Sequence, residues 1–381
     1  MRHMIEKEIL EQAAALRHEL HRHPELSMQE TWTRKHLIQF LKEHTSLEIV
    51  DRGRWFYAVY HKDDSAKKIA FRADFDAVPV QEAKELVPYC SENEGVGHKC
   101  GHDGHSAALA AFAMQLDRCG ADCNVYLLFQ HAEETGQGAQ ECLPFLKENG
   151  IDEIFAVHNM PGLELGAVAV AEGVVQYAST GMTISFQGLR SHACYPEDGR
   201  NPAYAISEMV VELEKLRAAQ KYQGLTLITI IGIRVGEHAF GTGAGEGELL
   251  LTVRGENGEE LADLIRHIEQ MAEQKAAVYG LKWSVQYEDA FEDCFNHRES
   301  VEKVRNAAEQ AGIKLQDLEE PFRASEDFGR FTKEVPGAIF YVGSGREHPA
   351  LHTPDFDFPD EILEVIAVMY CALVKSEQKI L

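Results

Sequence analysis

Residues 124–130, NVYLLFQ, form a nearly unbroken apolar run, short enough for a strand and too continuous for one that leaves a face to water. Such a strand needs cover on both faces. It therefore belongs inside a layered α/β domain whose sheet is mostly parallel. The polar stretch HAEETGQGA (131–139) follows at once, so Glu133 and Glu134 stand side by side where the strand ends. Adjacent carboxylates at the mouth of a buried strand need a cation or a proton to compensate them.

The same placement recurs along the chain. A strand at 68–74 runs into FRADFDAVP, with Asp74 and Asp76 at its C-terminal end; a strand at 153–157 delivers His158; GAIFYVGS (337–344) leads to His352. HKCGHDGH (98–105) sets Cys100 and His102 two residues apart in a glycine-bearing loop, just before an apolar helical run at 107–116. In open α/β sheets, sites gather beyond the carboxyl ends of the strands, so these distant side chains are expected to converge. Asp103 reads as a helix cap, and His98 and His105 as supporting polar residues. His21 and His23 lie between helices expected at 5–20 and 30–43 and read as surface or packing histidines.

Cys100, His102, His158, His352 and one of the two glutamates are more donors than one tetrahedral zinc with an open solvent position requires. Two divalent metals bridged by the Cys100 thiolate fit better. Asp74 is expected to fix the tautomer of a ligand histidine. Spacing leaves open which glutamate binds metal and which handles protons.

Between about 178 and 289 the pattern changes: strand 182–187, helix 202–219, strand 225–233, strand 248–254, helix 259–279, strand 282–287. That is the βαββαβ order of a ferredoxin-like α+β unit. The expected organisation is one catalytic domain, 1–177 and 290–381, interrupted by 178–289. The glycine-rich GTGAGEG (241–247) lacks the lysine and helix start of a phosphate cradle and reads as a turn.

Composition narrows the partners. With 62 acidic against 37 basic residues the formal charge is −25, which opposes nucleic acid. No run approaches the roughly 18 apolar residues of a membrane span, and no apolar leader region opens the sequence, so a cytoplasmic protein is expected. The eight cysteines are scattered, as in a reduced intracellular chain, and Cys119 and Cys123 read as structural.

The segments LHRHPELSMQE, FRADFDAVP, HKCGHDGH, FQHAEETGQGA, AVHNMPG, RSHACYPEDGRNPA, ASEDFGRF and LHTPDFDF occur in the order found in the di-metal aminoacylase and carboxypeptidase superfamily. The chain resembles most the branch containing auxin-conjugate amidohydrolases, hippurate hydrolase and N-acetyl-diaminopimelate deacetylase. The resemblance implies a metal-dependent amidohydrolase acting on N-acyl amino acids or related small amides. It implies that Cys100, His102, Glu134, His158 and His352 bind two divalent metals, zinc or manganese, with Glu133 as general base. It also implies a homodimer through the inserted lid domain, in which the partner subunit's His192 hydrogen-bonds the oxyanion. A dipeptidase or carboxypeptidase on small peptides is the alternative enzyme. A catalytically dead metal-binding scaffold is the alternative class, and the presence of Glu133 and of every ligand position argues against it.

The chain also departs from the branch. Glu197 and Asn201-Pro202 replace a second histidine and an Asp-Pro, His131 replaces a proline, and AFGTGAGEGELLLTVRG (239–255) lacks an Asn and an Ile-Pro associated with recognising the substrate carboxylate. Arg254 and Arg190 are the candidate substitutes.

Overall fold

A computed structural model describes residues 5–83, 87–218 and 222–375. The chain divides into a larger unit, Met1–Val175 with Cys294–Glu320 and Asp327–Leu381, and a smaller one, Gln176–Asp293 with Pro321–Glu326.

The larger unit is built on a sheet of eight strands. At its centre Asn124–Gln130, Lys68–Asp74, Glu153–Pro161 and Gly337–Gly345 lie adjacent in that order, all parallel. Phe56–Tyr60 and then Glu48–Asp51 continue it antiparallel on one side. Val168–Ala169 and Leu315–Gln316 close the other. Every residue of Asn124–Gln130 is buried, as expected of a strand covered on both faces. Helix His102–Cys119 crosses between the parallel strands Lys68–Asp74 and Asn124–Gln130 and packs against helices Lys7–Arg22 and Glu361–Lys375. Phe71, Phe112 and Tyr370 meet in the core between them, their ring centroids 4.9–5.5 Å apart. Each such aromatic contributes about 1.5–3 kcal/mol by leaving water.

Helix Lys7–Arg22 carries Ile9, Ala13, Leu16 and Leu20 inward at helical spacing, and it also buries Arg17 and His21. His21 is therefore neither a surface residue nor a bystander: Nδ1 meets Asp103 Oδ2 at 2.8 Å and Nε2 meets Glu82 Oε1 at 2.8 Å. Burial would lower its pKa, but the two carboxylates outweigh this and raise it to about 9. Arg17 Nη1 reaches Asp103 at 3.2 Å and Asp357 at 2.9 Å. Asp103 accordingly does not cap the helix, whose N-cap is Gly101 with no side-chain cap bond; it is half of a buried ion-pair network.

The smaller unit has four antiparallel strands in the order Lys282–Phe291, Ala178–Gln187, Glu246–Gly255, Thr226–Val235, that is fourth, first, third, second along the chain. With helices Ala203–Ala218 and Gly258–Tyr279 this is the expected ferredoxin-like arrangement. Residue 219, the expected end of the first helix, lies outside the described residues. Burial alternates along Glu246–Gly255, and Ile184, Phe186, Met209, Leu249, Leu264 and Ile268 form the core.

Candidate metal centre

The parallel strands of the larger unit bring their ends together, and with them the donors. The Glu153–Pro161 strand is longer than expected, so His158 sits within its last turns of pleat instead of after it. Cys100 Sγ lies 3.5 Å from His158 Nε2. His102 Nε2 lies 3.7 Å from Glu134 Oε1, 4.0 Å from Glu133 Oε2 and 3.9 Å from Asp74 Oδ2. His352 Nε2 is 3.3 Å from Glu134 Oε1. Donor atoms of Cys100, His102 and His158 all fall within 4.8 Å of one another, and so do those of Cys100, Glu134 and His352; the two groups share the thiol.

Two glycines make the loop possible. Gly101 has φ +98°, and a Cβ there would come within 2.2 Å of Asn159 Oδ1; a Cβ on Gly104 would strike the Phe358 ring at 2.3 Å. Any side chain at either position would push the start of helix His102–Cys119 off the strand ends.

The rings are oriented from behind. His102 Nδ1 donates to Asp76 Oδ1 at 3.0 Å, and His158 Nδ1 donates to the Asn159 carbonyl at 2.7 Å. Each ring thus turns Nε2 toward the cluster with its lone pair free. His102 Nε2 is buried with no hydrogen-bond partner, an orphan whose natural partner is a cation. The role expected of Asp74 therefore falls to Asp76. Asp74 instead accepts from His105 Nδ1 at 2.6 Å and from Arg72 Nη1 at 2.6 Å, while Arg72 Nη2 holds Asp327 at 2.7 Å.

The electrostatics describe a site strained without positive charge. Burial, then Glu134, Glu133 and Asp74, pushes the Cys100 thiol well up. Burial would lower His102, yet Asp74, Asp76 and Glu134 raise it to about 10. His158 is pushed well below its usual value by burial and by His105. A divalent cation would deprotonate the thiol, discharge the His102 imidazolium and neutralise the carboxylates, while His158 is already neutral. The donor set, thiolate with imidazoles and a carboxylate, fits such an ion.

Sequence reasoning singled out Cys100, His102, Glu133, Glu134, His158 and His352, and the structure brings all of them together. It missed the roles of Asp76, Asn159, Arg72 and Asp327. Arg72 in the middle of an apolar strand was a legible signal, since a charge there demands a partner. His192 belongs to the smaller unit, where it is exposed and its Nδ1 accepts from the Cys194 amide at 3.1 Å. Arg190 is exposed and bound to Glu237 and Glu246 at 2.7 and 2.9 Å. Arg254 is partly buried and donates to the Arg323 carbonyl and Ser325 Oγ at 3.1 and 2.7 Å.

With this geometry in place, the relatives are informative. An N-acetylcysteine deacetylase of Bacillus subtilis (strain 168) is 30% identical over 366 residues, covering 94% of each chain. An N-acetyl-L-cysteine deacetylase of the same organism is 29% identical over 91% of this chain and 83% of the relative. A crystal structure from Bacillus subtilis, described as a dinuclear metal binding peptidase from the M20 family, superposes with a TM-score of 0.81 at 27% identity, covering 97% of this chain and 98% of that one. The model of peptidase family M20/M25/M40 matches residues 70–376, and the chain belongs to that family.

Proposed function

We propose that this protein is a metal-dependent amidohydrolase that cleaves N-acyl amino acids or related small amides. The observation that carries the reading is the pair of donor groups sharing Cys100, with the orphaned His102 Nε2 inside and Glu133 alongside. On this reading Cys100, His102 and His158 would hold one divalent cation, and Cys100, Glu134 and His352 the other, zinc or manganese. When bound, the cations supply Lewis acidity toward the amide carbonyl and the attacking water.

The chain's own groups then divide the work. Glu133 takes the proton of the attacking water and returns it to the departing amine. Asp76 and the Asn159 carbonyl hold His102 and His158 in the tautomers that face inward. Asp74, tied to His105 and Arg72, contributes negative charge beside them and stays ionised: burial would raise its pKa, but His102, Arg72 and His105 hold it well below the usual carboxylate range. The names of the deacetylase relatives and of the dinuclear neighbour support the reaction class.

A free substrate carboxylate calls for a cation, and Arg254 of the smaller unit is a candidate: among the described residues no carboxylate pairs with it, and burial lowers its pKa. The test compares acetyl- and benzoyl-amino acids, their carboxyl-blocked amides and dipeptides, with protein loaded separately with zinc and with manganese. Free N-acyl acids are expected to be cut at least roughly tenfold faster than blocked amides, in line with about 1.5–3 kcal/mol for a charged hydrogen bond. Equal rates would remove Arg254 from recognition, and faster cleavage of dipeptides would favour a peptidase.

The proposed homodimer forms through the smaller unit. Thr226–Val235 is an edge strand on which Ile230, Ile231 and Ile233 are 40, 60 and 50% exposed, and Val211 on helix Ala203–Ala218 is 55% exposed. An unpaired strand edge beside exposed aliphatic side chains is a template for a second copy. Ile231→Arg is expected to convert the dimer to a monomer in light scattering. Activity should fall with it, because the oxyanion contact is assigned to the partner subunit's His192. A fully active monomer would refute the contribution in trans.

A further inference from the structure

Lys99 is fully buried, and a buried ammonium is costly unless something holds it. Its Nζ binds the Glu82 carboxylate, which is itself anchored by His21 Nε2 at 2.8 Å and the Ser91 amide at 2.6 Å. The same Nζ donates to the Phe356 carbonyl at 2.8 Å, and the Lys99 carbonyl accepts from the His352 amide at 2.7 Å. One residue thus grips both ends of the segment from His352 to Phe356. That segment needs gripping. His352 has φ +61°, a left-handed conformation that a non-glycine residue keeps only when its surroundings impose it. Its side chain is about half exposed and so lacks the packing that would otherwise hold it. Lys99 also immediately precedes Cys100, so its anchor fixes the chain on either side of the donor group Cys100, Glu134 and His352. The other group, Cys100, His102 and His158, is oriented through Asp76 and Asn159 instead.

We infer that Lys99 is a positioning residue for one of the two cation sites: its buried ammonium holds the Phe356 end of the His352–Phe356 segment, its main-chain carbonyl holds the His352 end, and together they preorganise His352 in the Cys100, Glu134 and His352 site. The inference rests on the two-cation reading. A methionine would fill the same space without the desolvation cost and keep the main-chain bond to His352, but it would release the Phe356 carbonyl and leave the segment held at one end only.

The experiment is calorimetric titration of Mn²⁺ into chelator-stripped full-length protein, with paramagnetic resonance of the loaded form. Wild type is expected to bind two ions and show coupled manganese. Lys99→Met should keep one tight site and weaken the other by roughly 10–100-fold, the usual effect of removing a group that orients a ligand. The coupled signal should be lost at equimolar loading and return at high Mn²⁺, with kcat recovering to near the wild-type value. Should Lys99→Met fail to fold, Glu82→Gln keeps the shape, removes the anchoring charge and is expected to weaken the same site. Two ions bound at wild-type affinity in a folded variant would overturn the role of Lys99 alone. Fewer than two ions in wild type would overturn the two-cation reading and this inference with it.

Discussion

Glu133→Gln lowers kcat by roughly 10²-fold or more while the metal content and KM stay close to wild type; this is the expected result of removing a general base without disturbing its surroundings. Glutamine keeps the length of the side chain and can still accept from the Asp327 amide, which lies 3.3 Å from Glu133 Oε1. It cannot take a proton. Glu134→Gln serves as the contrast. Glu134 lies between His102 and His352, at 3.7 and 3.3 Å, so its loss should reduce bound metal as well as turnover. Steady-state kinetics with elemental analysis of each purified variant separates the two glutamates. A Glu133→Gln enzyme with wild-type kcat would take the proton-transfer role from Glu133.

Arg72→Met is expected to destabilise the larger unit by about 3–5 kcal/mol, the cost of leaving a buried charge without its partner. Arg72, Asp74 and Asp327 are all fully buried, and Arg72 Nε also donates to Gln130 at 2.9 Å. Removing the guanidinium takes away the cation that Asp74 and Asp327 share in the interior. The surface pair Arg54–Glu141, with side chains 56 and 30% exposed, gives the scale for comparison: Arg54→Met should cost no more than about 1 kcal/mol. Urea unfolding of metal-free protein measures both. A loss below about 1 kcal/mol for Arg72→Met would show that the triad is solvated and not a buried network.

Much of the fold was legible because a strand covered on both faces writes its burial into composition. The strands expected at 68–74 and 124–130 begin and end on those residues, and the ferredoxin-like unit follows its expected order. The donors were legible for a related reason. A thiol, imidazoles and paired carboxylates at strand ends have few structural uses, and a parallel sheet gathers such ends at one edge.

Partnerships between buried charges were not legible. Arg72 meets Asp327 across 255 positions, and Arg17 meets Asp103 across 86. Periodicity reports which face of an element a residue occupies, and it carries no information about which distant charge lies opposite. Asp103 therefore read as a cap and His21 as a surface or packing residue, although the two are bonded to each other in one buried network. Asp74 and Asp76 show the same limit at short range: two positions apart at one strand end, they bond Nδ1 of different histidines, Asp76 that of His102 and Asp74 that of His105. The amino-acid sequence settles the layered α/β architecture with its additional antiparallel sheet, since that follows from local pattern and residue chemistry. Tertiary structure alone decides which carboxylate orients which histidine and which charges pair in the interior, because a hydrogen bond depends on distances of a few tenths of an ångström set by the packing of the whole unit.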